Sequence, residues 1–162
     1  MQQYNIKFMI NPQEYTILLA EDNVLLRRRL IRQLRQLTDK EFSVLIAFDG
    51  KWLYEKARDY KDDLSKLVIL ADTEMSELNG DEACRKLLED ERFRRVIMIG
   101  MSEASENEQY WKGVGIKDYS FFLKTEERIT NFADFVFNAV NSIVTNPAVY
   151  RLPDGSYRRD AV

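Results

Sequence analysis

Histidine is absent from all 162 residues. That absence excludes a Ser-His-Asp or Cys-His triad and a usual zinc site, and any phosphohistidine chemistry must come from another molecule. Cysteine is nearly as scarce, and the single Cys84 cannot form an internal disulfide. Apolar runs are short: Leu67 to Ala71 and Val96 to Met101 fall far below the roughly 20 residues that span a bilayer. The first ten residues lack a basic start followed by an apolar block, so no secretion signal is expected. A dominant charge sign is also missing. Lys and Arg number 24 against 27 Asp and Glu, for a net charge of -3, which gives no field to draw in nucleic acid or an anionic membrane. A cytoplasmic protein with neither nucleic acid nor membrane as partner is expected.

What the chain does have is the material for a core. Apolar residues make up 45% and charged residues 31%, with only three prolines and six glycines, the profile of one compact domain rather than a disordered or low-complexity chain. A domain of this size buries roughly 68 to 70% of its unfolded surface, enough to stand without metal or disulfide staples.

Short apolar runs alternate with amphipathic stretches from residue 15 to residue 144, which predicts an α/β fold: a doubly wound parallel sheet with helices on both faces. Five strands are expected, at Tyr15 to Ala20, Phe42 to Ala47, Leu67 to Ala71, Arg95 to Met101 and Ser120 to Leu123. Between them Leu26, Leu30, Leu34 and Leu37 recur at helical spacing, as do Leu53, Ala57, Tyr60 and Leu64. Asn79 suits the cap of a third helix carrying Ala83, Leu87 and Leu88. Phe132, Phe135, Val136, Ala139, Val140 and Ile143 mark a last helix. The polar stretch from Ser105 to Gly113 predicts a short, mobile helix. Residues 1–14 form an N-terminal extension in which Tyr4, Ile6, Phe8 and Ile10 alternate like a short strand. Residues 145–162, with Pro153-Asp154-Gly155 between two short runs, read as a tail or a small hairpin.

In a parallel sheet, residues just past the carboxyl ends of the strands converge on one crevice. Here those residues are Glu21 and Asp22 after strand one, Asp72 after strand three, Ser102 after strand four and Lys124 after strand five. Three close carboxylates repel one another unless a cation joins them, and hard oxygen ligands suit Mg²⁺. That ion takes one or two carboxylates plus phosphate oxygens, so a phosphoryl group fits beside it, with Asp72 as nucleophile and Lys124 and Ser102 on the phosphoryl oxygens. Taken singly, each residue has a plainer reading: Glu21 and Asp22 as helix caps, Asp72 as the start of a turn, Ser102 and Lys124 as surface residues. Their shared position at one sheet edge argues for the site.

These residues give the chain a resemblance to the receiver domain of two-component response regulators. It covers residues 15 to 144 and rests on Ile17-Leu18-Leu19-Ala20-Glu21-Asp22-Asn23, on Leu67-Val68-Ile69-Leu70-Ala71-Asp72-Thr73-Glu74-Met75 followed by Gly80, and on Phe121-Phe122-Leu123-Lys124. The intervals of 30 residues from Asp72 to Ser102 and 22 from Ser102 to Lys124 agree with the family's layout. The resemblance implies strand order 2-1-3-4-5, phosphorylation of Asp72 by a histidine kinase or phosphotransfer protein, and Mg²⁺ held by Glu21, Asp22 and Asp72. It further implies a Ser102 that swings toward the phosphoryl group in concert with an aromatic on strand five, for which Tyr119 and Phe121 are rivals. The chain departs from the family at Ser76 and Thr125, where proline is usual, and at Glu103, where a small residue is usual. Thr125 predicts a trans peptide after Lys124, and Glu74 and Glu103 place extra negative charge beside the expected phosphate pocket.

Two surfaces suggest partners. Arg28, Arg32 and Arg35 share one face of the first helix, either as a solvated face or as a docking surface for the phosphodonor. The last helix carries Phe137 and Val144 beyond its main stripe, which suits a homodimer or a cover for the terminal segments. The leading expectation is a phosphorylation-dependent signalling switch or relay with at most self-phosphorylation and self-dephosphorylation. A pseudo-receiver serving as a constitutive interaction module is the second reading. An aspartate-nucleophile phosphatase, suggested by Glu74 two residues after Asp72, is the third, and it lacks that class's usual Asp-x-Asp motif after the first strand.

Overall fold

The computed structural model describes residues 10–36, 42–116, 119–145, 149–151 and 157–159. Five parallel strands, β1 (Thr16–Ala20), β2 (Ser43–Ala47), β3 (Leu67–Asp72), β4 (Ile97–Ser102) and β5 (Phe121–Leu123), form one sheet in the order β2-β1-β3-β4-β5. The helices are α1 (Val24–Gln36), α2 (Gly50–Arg58), α3 (Gly80–Leu88), the four-residue α4 (Glu126–Ile129) and α5 (Phe132–Thr145). After them β6 (Val149–Arg151) pairs antiparallel with β7 (Tyr157–Arg159). Each predicted strand matches an observed one to within two residues. Among the described residues no helix is long and apolar enough to cross a membrane. The expected strand from Tyr4 and the helical Leu37 lie outside the described residues, apart from Ile10, whose N–H donates to Asn141 Oδ1 on α5 at 2.9 Å.

Strand side chains alternate between two cores, as a sheet covered on both faces requires. Ile17, Leu19, Val68, Leu70, Ile97, Ile99 and Phe122 join Leu30, Leu34, Phe132, Val136 and Val140 on the α1/α5 side. Leu18, Ile69, Ala71 and Met98 join Leu53, Ala57, Ala83, Leu87 and Trp111 on the α2/α3 side. The outer strand β2 is half-exposed, and the Lys56 ammonium donates to the Ile46 carbonyl there, blunting the sheet edge.

Local chemistry sets the helix ends. Asn79 and Glu82 form a reciprocal capping box on α3, and Asp49 caps α2 through the Trp52 N–H at 2.8 Å. The helical spacing from Leu53 to Leu64 overshoots α2, which ends at Arg58. Asp63 accepts from the Ser65 N–H and opens a separate 3-10 turn, Leu64–Lys66. Tyr60 and Leu64 still pack on the α2/α3 core, so the spacing reports burial and not one continuous helix.

The segment after β4 departs most from expectation. It is a 3-10 helix, Ser105–Trp111, and it is anchored rather than loose. Trp111 is fully buried, and Arg85 of α3 donates to the Tyr110 carbonyl. The indole packs on β4 at Gly100, where an added Cβ would come within 2.0 Å of the ring atom Cε2. Glycine at this position is thus the seat for Trp111.

Replacing Gly100 with alanine is expected to lower stability by about 2 kcal/mol or more through overpacking. Truncating the exposed Leu25 is expected to change it by less than about 0.5 kcal/mol. Urea denaturation of the two variants checks both.

Candidate functional site

Parallel strands deliver the five predicted residues to one edge of the sheet, and the structure joins three of them directly. The Lys124 ammonium donates to Glu21 Oε2 at 2.9 Å and to Asp72 Oδ1 at 2.9 Å. Lys124 follows β5 and is held to β4 by its own N–H, which donates to the Ser102 carbonyl at 2.7 Å. Asp72 ends β3, and its Oδ1 also accepts the Thr73 N–H at 3.0 Å. Gly80 packs so closely behind it that an added Cβ would strike the Asp72 carbonyl, and the Gly80 N–H donates to the Thr73 carbonyl at 2.9 Å.

Glu21 is fully buried. Its Oε1 accepts the Asn23 N–H at 3.2 Å, and its carbonyl accepts from Arg27 at 2.8 Å. The cap of α1 comes from Asn23, whose Oδ1 accepts the Leu26 N–H at 3.0 Å, so capping does not account for Glu21 and Asp22. Asp22 is exposed at the mouth of the crevice. One carboxylate oxygen each from Glu21, Asp22 and Asp72 lies within 4.8 Å of the others.

The charges do not balance, since one ammonium faces three carboxylates. Burial pushes the Asp72 carboxyl up first; Lys124 pulls it back, Glu21 and Asp22 push it up again, and it settles at about 6. Burial alone would lower the Lys124 ammonium, but Asp72 and Glu21 outweigh that and raise it. Lys124 is therefore a firmly held cation that cannot neutralise the cluster alone. Oxygen donors with surplus negative charge suit a hard divalent ion, and the Glu21, Asp22 and Asp72 set fits Mg²⁺.

Ser102 lies at the same sheet edge but is engaged elsewhere. Its Oγ accepts the Ala104 N–H at 3.0 Å and the Asn107 Nδ2–H at 2.9 Å. Asn107 is itself buried and reaches Glu74 Oε1 at 3.4 Å. Thr73 joins the same side: its Oγ1 donates to the Met101 carbonyl at 2.8 Å and accepts the Trp111 Nε1–H at 2.9 Å. Asn107, Thr73 and Trp111 were not marked by strand-end position. A glycine inside the apolar run of β4 was the one sequence signal of a close approach.

The two rival aromatics separate in space. Tyr119 packs against the α1/α5 core and Phe121 against the core that holds Trp111. Glu103 and Glu74 are both exposed, and the peptide after Lys124 is trans, as expected from Thr125. On α1, Arg28, Arg32 and Arg35 are exposed, while Arg29 pairs with Glu126 through two 3.1 Å bonds. Phe137 on α5 is half-buried against the α1/α5 core, and Val144 is exposed.

No protein-family model matches the chain, and no curated protein matches it. Its fold, however, is similar to that of solved proteins. The chemotaxis response regulator CheY4 of Vibrio cholerae superposes with a TM-score of 0.62 at 18% identity, over 77% of this chain and 98% of that one. The receiver domain of the sensor histidine kinase PA1611 of Pseudomonas aeruginosa, solved with magnesium in its active-site cleft, gives 0.62 at 23% identity, over 79% and 98%. The phosphorylated cyanobacterial phytochrome response regulator RcpA gives 0.55 at 17% identity, over 80% and 90%. The five-strand parallel sheet, its strand order and these likenesses together give the chain the receiver-domain fold of response regulators.

Proposed function

We propose that this chain accepts a phosphoryl group on Asp72 from the phosphohistidine of a histidine kinase or phosphotransfer protein, and acts as a phosphorylation-dependent signalling switch or relay. The observation that carries the reading is Lys124 bridging Glu21 and Asp72 beside the exposed Asp22. A carboxylate in that setting has a cation in contact at Oδ1 and two further carboxylates close by. The absence of histidine fits a receiving partner, since the donor must be a second protein. Two neighbours of the same fold, one solved with magnesium and one phosphorylated, support the reading by likeness.

Glu21, Asp22 and Asp72 would hold Mg²⁺, which when bound supplies positive charge for the non-bridging phosphoryl oxygens. A carboxylate oxygen of Asp72 attacks phosphorus and an O–P bond forms. The P–N bond to the donor imidazole breaks, its electron pair stays on nitrogen, and the freed ring takes up a proton from water as needed. Lys124 stabilises the charge on the transferring oxygens. Ser102 offers a hydroxyl to the same oxygens after turning toward them, and Phe121, on the side of the sheet that holds Trp111, is the aromatic placed to follow it. Glu74 bonds to Asn107 rather than to Asp72 or Lys124, so its charge is turned from the nucleophile, which favours this reading over a blocked pseudo-receiver.

Incubation with acetyl phosphate and Mg²⁺ is expected to add one phosphate per chain, seen by intact mass, and to add none to Asp72→Asn. Equal uptake by both proteins, or none by the wild type, contradicts the proposal. The charge imbalance also predicts opposite effects on stability. Lys124→Met strands two buried carboxylates and is expected to cost about 3 to 5 kcal/mol. Asp72→Asn removes surplus charge, keeps an acceptor for Lys124 and Thr73, and is expected to leave the thermal midpoint unchanged or higher.

A further inference from the structure

Ser102 and Asp72 end adjacent strands, Ser102 one residue beyond the Met101 that pairs with Asp72. β3 alternates so that Val68 and Leu70 face the α1/α5 core, and Asp72 continues that register. β4 places Ile97, Ile99 and Met101 on that same side, and the Ser102 hydroxyl is bonded to the segment that leads into the 3-10 helix Ser105–Trp111. A hydroxyl has two acceptor sites and one proton, and both acceptors of Ser102 are taken by donors from the following segment, Ala104 N–H and Asn107 Nδ2–H. The first bond is local and would survive small rotations. The second comes from a side chain only 5% exposed, whose other amide hydrogen points to Glu74.

We infer that Asn107 is the positioning residue for Ser102: its amide spans Ser102 and Glu74 and holds the hydroxyl toward the 3-10 helix. For Ser102 to reach a phosphoryl group on Asp72, that bond must break and leave a buried N–H without its partner, a costly state. Asn107 therefore sets how readily Ser102 engages. The same bond ties the start of the 3-10 helix to the site, while Trp111 ties its end to Thr73. Release of Asn107 frees the nearer end first. The inference rests on Asp72 being the phosphoacceptor.

The test compares rates of phosphate uptake from acetyl phosphate with Mg²⁺ by intact mass, in variants whose thermal midpoints are measured in parallel. Asn107→Ala removes the restraint and is expected to speed uptake roughly fivefold, the factor that one net hydrogen bond represents. Asn107→Asp keeps the shape but turns the donor into a charged acceptor that takes the Ser102 proton. It is expected to react no faster than the wild type. A general loosening of the 3-10 helix would move both variants the same way. In a Ser102→Ala background the difference between Asn107 and Asn107→Ala is expected to vanish, because nothing remains to be held. Uptake at one rate in wild type and both variants, slower uptake in Asn107→Ala, or a full effect without Ser102 overturns the inference while leaving Asp72 as phosphoacceptor. No uptake by the wild type overturns both.

Discussion

One ammonium set against three carboxylates is the constraint on which the rest of this structure turns. Lys124 can bridge Glu21 and Asp72 only because β1, β3 and β5 run parallel and end at the same level. The bridge is strong in geometry but insufficient in charge, so the Asp72 carboxyl is pushed up by burial and by its acidic neighbours even with Lys124 in contact. An anionic cluster of this kind is costly to fold and gains from a hard cation. The proposed ion and phosphoryl group would both meet this imbalance, the ion by supplying the positive charge that Lys124 alone does not.

The surrounding fold keeps that cluster in place from two sides. On one, the apolar residues of β1, β3 and β4 pack under α1 and α5, which fixes Glu21 and Lys124. On the other, Trp111 sits on Gly100 and bonds Thr73, the residue after Asp72. The 3-10 helix that carries Trp111 is therefore continuous with the site through hydrogen bonds, and Asn107 extends that continuity to Ser102. Asp72 is thus joined through its neighbour Thr73 to Trp111, on the 3-10 helix between β4 and β5.

Much of the fold was legible from local pattern. β-rich runs such as Leu67 to Ala71 mark buried strands because both sheet faces are covered, and residues that end those runs fall at one edge by topology alone. Asn79 announced α3 through its capping chemistry. Helical spacing failed at Tyr60 and Leu64, where burial continued after the helix stopped at Arg58. It also gave no sign of the 3-10 geometry of Ser105–Trp111, which depends on one tryptophan meeting one glycine across the sheet. Asn107 was not legible either, because its partners, Ser102 and Glu74, are brought to it by the turn after β4 and by a neighbouring strand. Trp52 and Trp111 look alike in sequence, yet one is exposed beside Phe48 and the other is fully buried, a difference made by tertiary contacts alone.

The most direct test of the account is calorimetric titration of the protein with Mg²⁺. A single binding event that is lost in Asp22→Asn, whose side chain keeps its size but gives up its charge at the mouth of the crevice, is the predicted result. Heats indistinguishable from dilution in the wild type, or binding that survives unchanged in Asp22→Asn, would contradict a cation held by these three acids.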